Sequence, residues 1–357
     1  MMKRILDYIK NTPCAKYIIG SLLAFIIIAS GFVALKYLND NKKNVTEKFS
    51  LYIAPQTSVA ELLDTLNGKL KSVNSFLKCL KRENPTGTLA CGYYLFNKNT
   101  TNKAIARAIT KGWQTPYRLT LSGNIRGLEK LAGLLGKRMM HDSTAFITYF
   151  NTPEVWAENG LKKETFATLF IPNTYEIYWN YTPEEFTKRM RREYDKFWTT
   201  ARIEKAKELG MSREEISTLA SIVCEESNYA PELATIAGVY LNRLKIGMRL
   251  EADPTVKFAM NDPGIKRILY KHLKVDSPYN TYRIYGLPPG PITIPSVAGI
   301  DAVLNYQKHN YLYFCANEKL DGTHKFARTL SEHNRNARAY QAAISKHRLF
   351  QRLPAIF

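Results

Sequence analysis

The stretch "YIIGSLLAFIIIASGFVAL", Tyr17 to Leu35, contains no charged side chain. At 1.5 Å per residue a helix of this length spans roughly 27–29 Å, close to the ~30 Å hydrocarbon core of a bilayer. A segment of this kind commits the rest of the chain to folding on one side of a membrane. Lys3, Arg4, Lys10 and Lys16 precede it, as the positive-inside rule wants for a cytoplasmic N-terminus, and the large downstream part would cross despite Lys36, Lys42 and Lys43. A cleaved signal peptide is the competing reading. Its apolar core is usually only ~7–15 residues, and the one small-residue site here, Ala29 to Gly31, lies inside the run. The expectation is therefore an uncleaved single-pass anchor over residues 17–38, with 1–16 as a cytoplasmic tail.

The 357 residues, 45% of them hydrophobic, have room for two or three domains with real cores. The formal net charge of +20 predicts an anionic partner or surface. Nucleic acid is not that partner, because the basic residues are spread along the chain and no zinc-finger, RNP or Walker pattern occurs. Five cysteines form no CxxC pair and six histidines no ligand set, so no metal and no cofactor is expected. Cys79 and Cys91 could pair or could be free and buried.

Residues 39–48, "NDNKKNVTEK", read as a polar linker. A strand–helix pattern then occurs three times. Tyr52 marks the first strand, followed by a helix capped by Ser58 and Glu61 that stops near Gly68. "GYYLFNKNTTNKAIARAITKG" repeats it with a Thr cap and terminal Gly112, and a third copy starts at Tyr117. None of these units can bury its apolar face alone, so they should pack together as a small α+β region over 49–137. Residues 138–200 connect onward through an aromatic turn and a helix capped at Thr182, with Pro183 at its first position. From 201 the pattern is mainly helical, interrupted by "IYGLPPGPITIPS". A hairpin then turns at Asp321–Gly322, and a last helix begins near Ser331. The fold class is α+β.

"LASIVCEESN" sets two acids at the end of an apolar run. Ile216, Leu219, Ile222, Val223 and Glu226 recur at spacings of three and four, so Glu226 continues the buried stripe. Glu225, about 100° away, aligns with Thr218 and Ser221 and is expected to be an exposed helix residue. Desolvation raises the pKa of a carboxyl, which is what a general acid near neutral pH requires. The bland alternative is a helix that frays and turns Glu226 to solvent. A loop carrying Glu251 and Asp253, and "SPYNTYRIYGLPPG" with Asn280, Tyr282 and Tyr285, offer further cleft candidates whose aromatic faces and amides suit sugar rings.

"LASIVCEES", "VYLNRLKIGMRLEADPTV", "YNTYRIYGLPPGPITIPS", "YLYFCA" and "HKFARTLSEHN" stand in the order and spacing of the MltG-type (YceG-like) endolytic murein transglycosylases, which this sequence resembles from the anchor to Asn336. The resemblance implies a single-pass inner-membrane enzyme with its catalytic part outside the cytoplasm, a LysM-like subdomain after the anchor, and a lysozyme-like catalytic domain over 201–357. It would cut peptidoglycan glycan strands internally. It also implies partnership with peptidoglycan synthases. The last acid of the family's "SIVxxE" motif falls on Glu226, which would act first as acid and then as base, closing a 1,6-anhydro ring. Asp253, Asn280 and Tyr282 match motif positions and are expected to bind or position substrate; Arg243 fits a structural pairing with a nearby acid at least as well as binding. The sequence departs from the family pattern at Cys224, where an acid is commoner, and at Ala167–Thr168 and Asn173, where Glu-Gly and Asp are usual. A non-catalytic wall-binding scaffold, or a hydrolytic muramidase pairing Glu226 with Asp253 or Glu251, remain open alternatives.

Overall fold

The computed structural model describes residues 13–262, 264–265 and 267–352. Lys3, Arg4 and Lys10 of the expected cytoplasmic tail lie outside the described residues. The chain forms two compact units, residues 1–117 with 178–180 and residues 118–177 with 181–357. The described residues make a mainly helical α+β protein, and among them the sheets are three separate strand pairs.

The first unit opens with helix α1 (Pro13–Asp40). Among the described residues nothing covers its apolar window from Tyr17, leaving Phe25, Ile27, Ile28 and Phe32 exposed. An apolar surface of this size is stable only where something other than water covers it, as for a single-pass anchor or a signal sequence. Next come β1 (Phe49–Ile53), α2 (Val59–Leu66), α3 (Val73–Glu83), β2 (Gly92–Phe96) and α4 (Asn102–Lys111). Alternation along β1 buries Phe49, Leu51 and Ile53 and leaves Ser50 and Tyr52 outward. β1 and β2 pair antiparallel with Leu51 opposite Tyr94, and their inner faces close on Leu62, Leu66, Phe76 and Ile105. The Ser58–Glu61 capping box starts α2, and Gly112 ends α4 in the left-handed region at φ 68°.

Residues 39–48, expected as a linker, are instead docked into this unit. Asn44 and Val45 are fully buried, and Val45 bridges to Leu70 while Lys43 bridges to Thr101. The Asn44 amide donates to Ser72 O and to Asn102 Oδ1, both at 2.8 Å, and Asn102 Nδ2 donates to Asn39 O at 2.9 Å. Asp40 pairs with Arg82. A polar composition alone suggests solvation; these polar groups find their partners inside the protein, which removes the cost of burying them.

The second unit begins with β3 (Tyr117–Leu121, of which Tyr117 belongs to the first unit) and continues through α5 (Gly127–Gly136), α6 (Ser143–Phe150), α7 (Pro153–Glu158) and β4 (Asn173–Ile177). The third strand–helix copy does not join the first two as expected. β3 pairs with β4, and Ile125 bridges to Ile294, so its strand and bridge partners lie in this unit. α8 (Pro183–Phe197), with the Thr182 capping box and Pro183, lays Phe186 on a cluster of Phe146, Phe150, Phe166 and Phe170. α9 (Thr200–Glu208), α10 (Arg213–Glu226), α11 (Leu233–Lys245), α12 (Asp253–Met260) and α13 (Val297–Leu304) follow. Then come the β5 (Tyr313–Ala316)–β6 (His324–Ala327) antiparallel hairpin and α14 (Leu330–Arg352).

α10 is the central helix. Every residue from Ile216 to Cys224 is buried, which requires its polar side chains to be satisfied locally. Ser217 Oγ donates to Arg213 O at 2.9 Å and Ser221 Oγ to Thr218 O at 2.7 Å. Against it α13 comes so close that a Cβ on Gly299 would lie 2.1 Å from Cys224 Sγ.

Candidate active site

The end of α10 places the two adjacent acids in different surroundings. Glu225 is not the exposed residue expected from helical periodicity. The face it shares with Thr218 and Ser221 is buried because α10 is packed all round, and Glu225 ion-pairs with Arg126, its side chain only 12% exposed. Glu226 is half-buried where the buried run ends at Cys224, and its carboxyl group is desolvated. Burial of its carboxyl group raises the pKa to about 7. A hydrogen bond from Tyr240 opposes that rise, the Asp253 charge adds to it, Arg243 lowers it and Glu225 raises it.

Tyr240 lies on α11 and is 2% exposed. Its hydroxyl donates to Glu226 Oε1 at 2.6 Å, and its ring is edge-on to Phe314 of β5 at 5.8 Å. Burial and the neighbouring Glu226 push the phenol well above its ordinary pKa, so it serves as a proton donor in a fixed hydrogen bond. With Oε1 occupied, Oε2 is the oxygen left to carry an exchangeable proton. Sequence reading did not single out Tyr240. The available signal was a phenol tip on the buried face of α11, beside Ile236, Ala237 and Val239.

Asp253 and Tyr282 are brought together: the Tyr282 hydroxyl donates to Asp253 Oδ1 at 2.7 Å. Burial and the Asp253 carboxylate raise the pKa of Tyr282. The join between α12 and the 280 loop is made by buried threonines. Thr255 Oγ1 and Thr281 Oγ1 are 2.8 Å apart, and Ala252 N donates to Thr281 Oγ1 at 3.0 Å. Asn280 is fully buried. Its amide donates to Leu273 O and Val275 O at 2.9 and 2.8 Å, and its Oδ1 accepts from Tyr282 N at 3.1 Å. Those bonds commit the Asn280 side chain to shaping the loop that carries Tyr282.

Arg243, 7% exposed, donates to the carbonyls of Leu312 at 2.6 Å and Leu250 at 2.8 Å, and stands 3.6 Å from Glu251. It therefore ties the hairpin entry to the Glu251–Asp253 loop while adding positive potential near Glu226. Tyr285 is exposed and lies under Arg249. Among the described residues, no three or more His, Cys, Asp or Glu side chains are grouped to hold a metal ion.

Chemically, the site is a single desolvated carboxyl, steered by one phenol and flanked by a second, exposed carboxylate. That constellation has the chemistry that a general acid–base centre working near neutral pH requires. The chain belongs to the YceG-like family, whose model matches residues 51–339. It is similar to an endolytic murein transglycosylase of Bacillus subtilis (strain 168), 31% identical over 337 residues that cover 88% of this chain and 91% of that protein. An endolytic murein transglycosylase of Streptococcus pneumoniae serotype 2 (strain D39) is 27% identical over 364 residues, covering 90% of this chain but only 64% of that longer protein. Among solved structures, a putative yceG-like protein from Listeria monocytogenes superposes with a TM-score of 0.54 at 26% identity, over 81% of this chain and 98% of that one.

Proposed function

We propose that this protein is a membrane-anchored endolytic lytic transglycosylase that cleaves the β-1,4 bond between N-acetylmuramic acid and N-acetylglucosamine in peptidoglycan strands. The observation that carries the proposal is Glu226, a desolvated carboxyl with a pKa of about 7 held by Tyr240 at 2.6 Å, in a chain whose curated relatives are named for this activity. Protonated Glu226 donates its proton to the glycosidic oxygen as the C1–O bond breaks. The N-acetylglucosamine 4-hydroxyl leaves, and positive charge develops at C1. The Glu226 carboxylate then takes the proton of the C6 hydroxyl of the same muramic acid while O6 bonds to C1. The product is a 1,6-anhydro end, no water is consumed, and Glu226 returns to its protonated form. One carboxyl serves both steps, unlike the two-carboxylate arrangement of most glycosidases. Asp253, held by Tyr282, lies within electrostatic reach of Glu226 and is assigned to orienting the sugar; Asn280 is assigned to positioning Tyr282.

α1 is the anchor in this proposal, with the N-terminus cytoplasmic and both units beyond the inner membrane, where peptidoglycan synthases would be its partners. The strand–helix–helix–strand order of β1, α2, α3 and β2, with the strands paired antiparallel, supports a LysM-like first unit; the packing around α10 supports a lysozyme-like second one. The test is product analysis. Peptidoglycan digested with the protein should yield anhydro ends by mass, and the Glu226→Gln variant should yield none. Reducing ends would mean hydrolysis, with Asp253 recruited as a second carboxylate, and an absence of any cleavage would leave only a binding role.

A further inference from the structure

Arg126, the partner of Glu225, lines a cleft of about 730 Å³ formed by the start of α5 and the end of α12. That volume falls in the ~300–1,000 Å³ range of ligand sites. Its lining carries both signs: Arg126, Lys130 and Lys257 against Glu129 and Asp262, with Phe258 as an aromatic wall. Lys130, Glu129 and Asp262 are exposed, so their charges are available to a ligand. The cleft connects to the acid by two routes. Arg126 holds Glu225, the residue next to Glu226. The helix that supplies Lys257 and Phe258 begins at Asp253.

We propose that this cleft binds the stem peptide carried by the muramic acid of the strand being cut, with Lys130 and Lys257 taking its carboxylates, Asp262 and Glu129 its amine, and Phe258 its apolar side chains. The proposal rests on the peptidoglycan reading above. A purely anionic ligand such as nucleic acid or an acidic lipid surface would favour a lining of one sign, whereas a short peptide with carboxylates and an amine matches a mixed one. Arg126 is then a positioning residue: its partner Glu225 lies in the last turn of α10, so a peptide that draws on Arg126 acts on the end of the helix that presents Glu226.

The test is direct binding, which does not depend on cleavage. Full-length protein in detergent micelles, carrying Glu226→Gln so that no strand is cut, is titrated calorimetrically with a muramic-acid-containing tetrasaccharide bearing stem peptides. The same tetrasaccharide stripped by an amidase serves as the comparison. The peptide-bearing form should bind at least 5-fold more tightly, and Lys130→Gln with Lys257→Gln should reduce that preference below 2-fold while leaving the affinity for the stripped sugar in place. Replacing Arg126 and Glu225 together by Gln avoids stranding one charge without its partner and should also reduce the preference. Equal affinity for the two fragments, a preference that survives all these substitutions, or no binding of either fragment would each overturn the proposal. The outcomes separate from those of the catalytic reading: anhydro ends made by the unmodified protein without a peptide preference would sink the cleft alone, and a peptide preference without cleavage would sink the enzyme alone.

Discussion

Replacing Glu226 by Gln should change the way stability depends on pH, whatever it does to activity. Gln keeps the shape and can still accept the Tyr240 hydroxyl at the position of Oε1, so the perturbation is the loss of a titrating proton and little else. In the folded protein the carboxyl titrates near 7 and in the unfolded chain near its ordinary 4.5. Between those values the folded state binds more protons than the unfolded state, so raising the pH favours unfolding. The contribution is fully present below pH 4.5, falls through the interval and is gone above pH 7. At ~1.4 kcal/mol for each pH unit between the two titrations, the full loss is about 3 kcal/mol. Denaturant unfolding of the second unit in both proteins, at half-unit steps from pH 4.5 to 8, should show Glu226→Gln gaining on the unmodified protein by up to that amount. A stability difference that stays flat across this interval would mean that Glu226 is solvated and charged in the fold, and the general-acid assignment would lose its physical basis.

Tyr240→Phe removes the hydrogen bond that holds Oε1 and that lowers the Glu226 pKa. The alkaline limb of the pH–rate profile should therefore move up while kcat falls roughly 10-fold through lost orientation, read from initial rates on isolated strands. Gly299→Ala should cost about 1–3 kcal/mol by overpacking, because the new methyl would meet Cys224 Sγ. Adding Cys224→Ala should recover most of that loss in thermal melts, and failure of the rescue would show that the close approach is not what demands glycine.

What the sequence disclosed was local. The Ser58–Glu61 capping box, the Thr182 cap with Pro183 and the hairpin at Asp321–Gly322 each depend on residues a few positions apart, and each is present. The apolar stripe ending at Glu226 was legible for the same reason. Glu225 was misjudged because a helix periodicity describes one face, while α10 is packed also by elements distant in sequence, such as α13. Its partner Arg126 lies 99 residues away, and no pattern near either residue announces the pair. The same limit hid the pairing of β3 with β4 and the role of Tyr240, whose neighbour is supplied by another helix. The family resemblance located Asp253, Asn280 and Tyr282, but it could not distinguish an exposed carboxylate from an amide wholly consumed by its own loop.

The docking of Asn39, Asn44 and Asn102 at the end of α1 has a mechanical meaning. Ten free residues at that point would act as a slack tether with a root-mean-square reach of roughly 16–19 Å, letting the first unit wander over whatever surface holds the helix. Buried amides and two β-bridges take up that slack. With α1 as the proposed anchor, the helix would work as a post, and folding would fix the height of the first unit above its footing. On the anchor reading, the first unit would sample its surroundings at a fixed distance from the surface instead of sweeping through a range of heights.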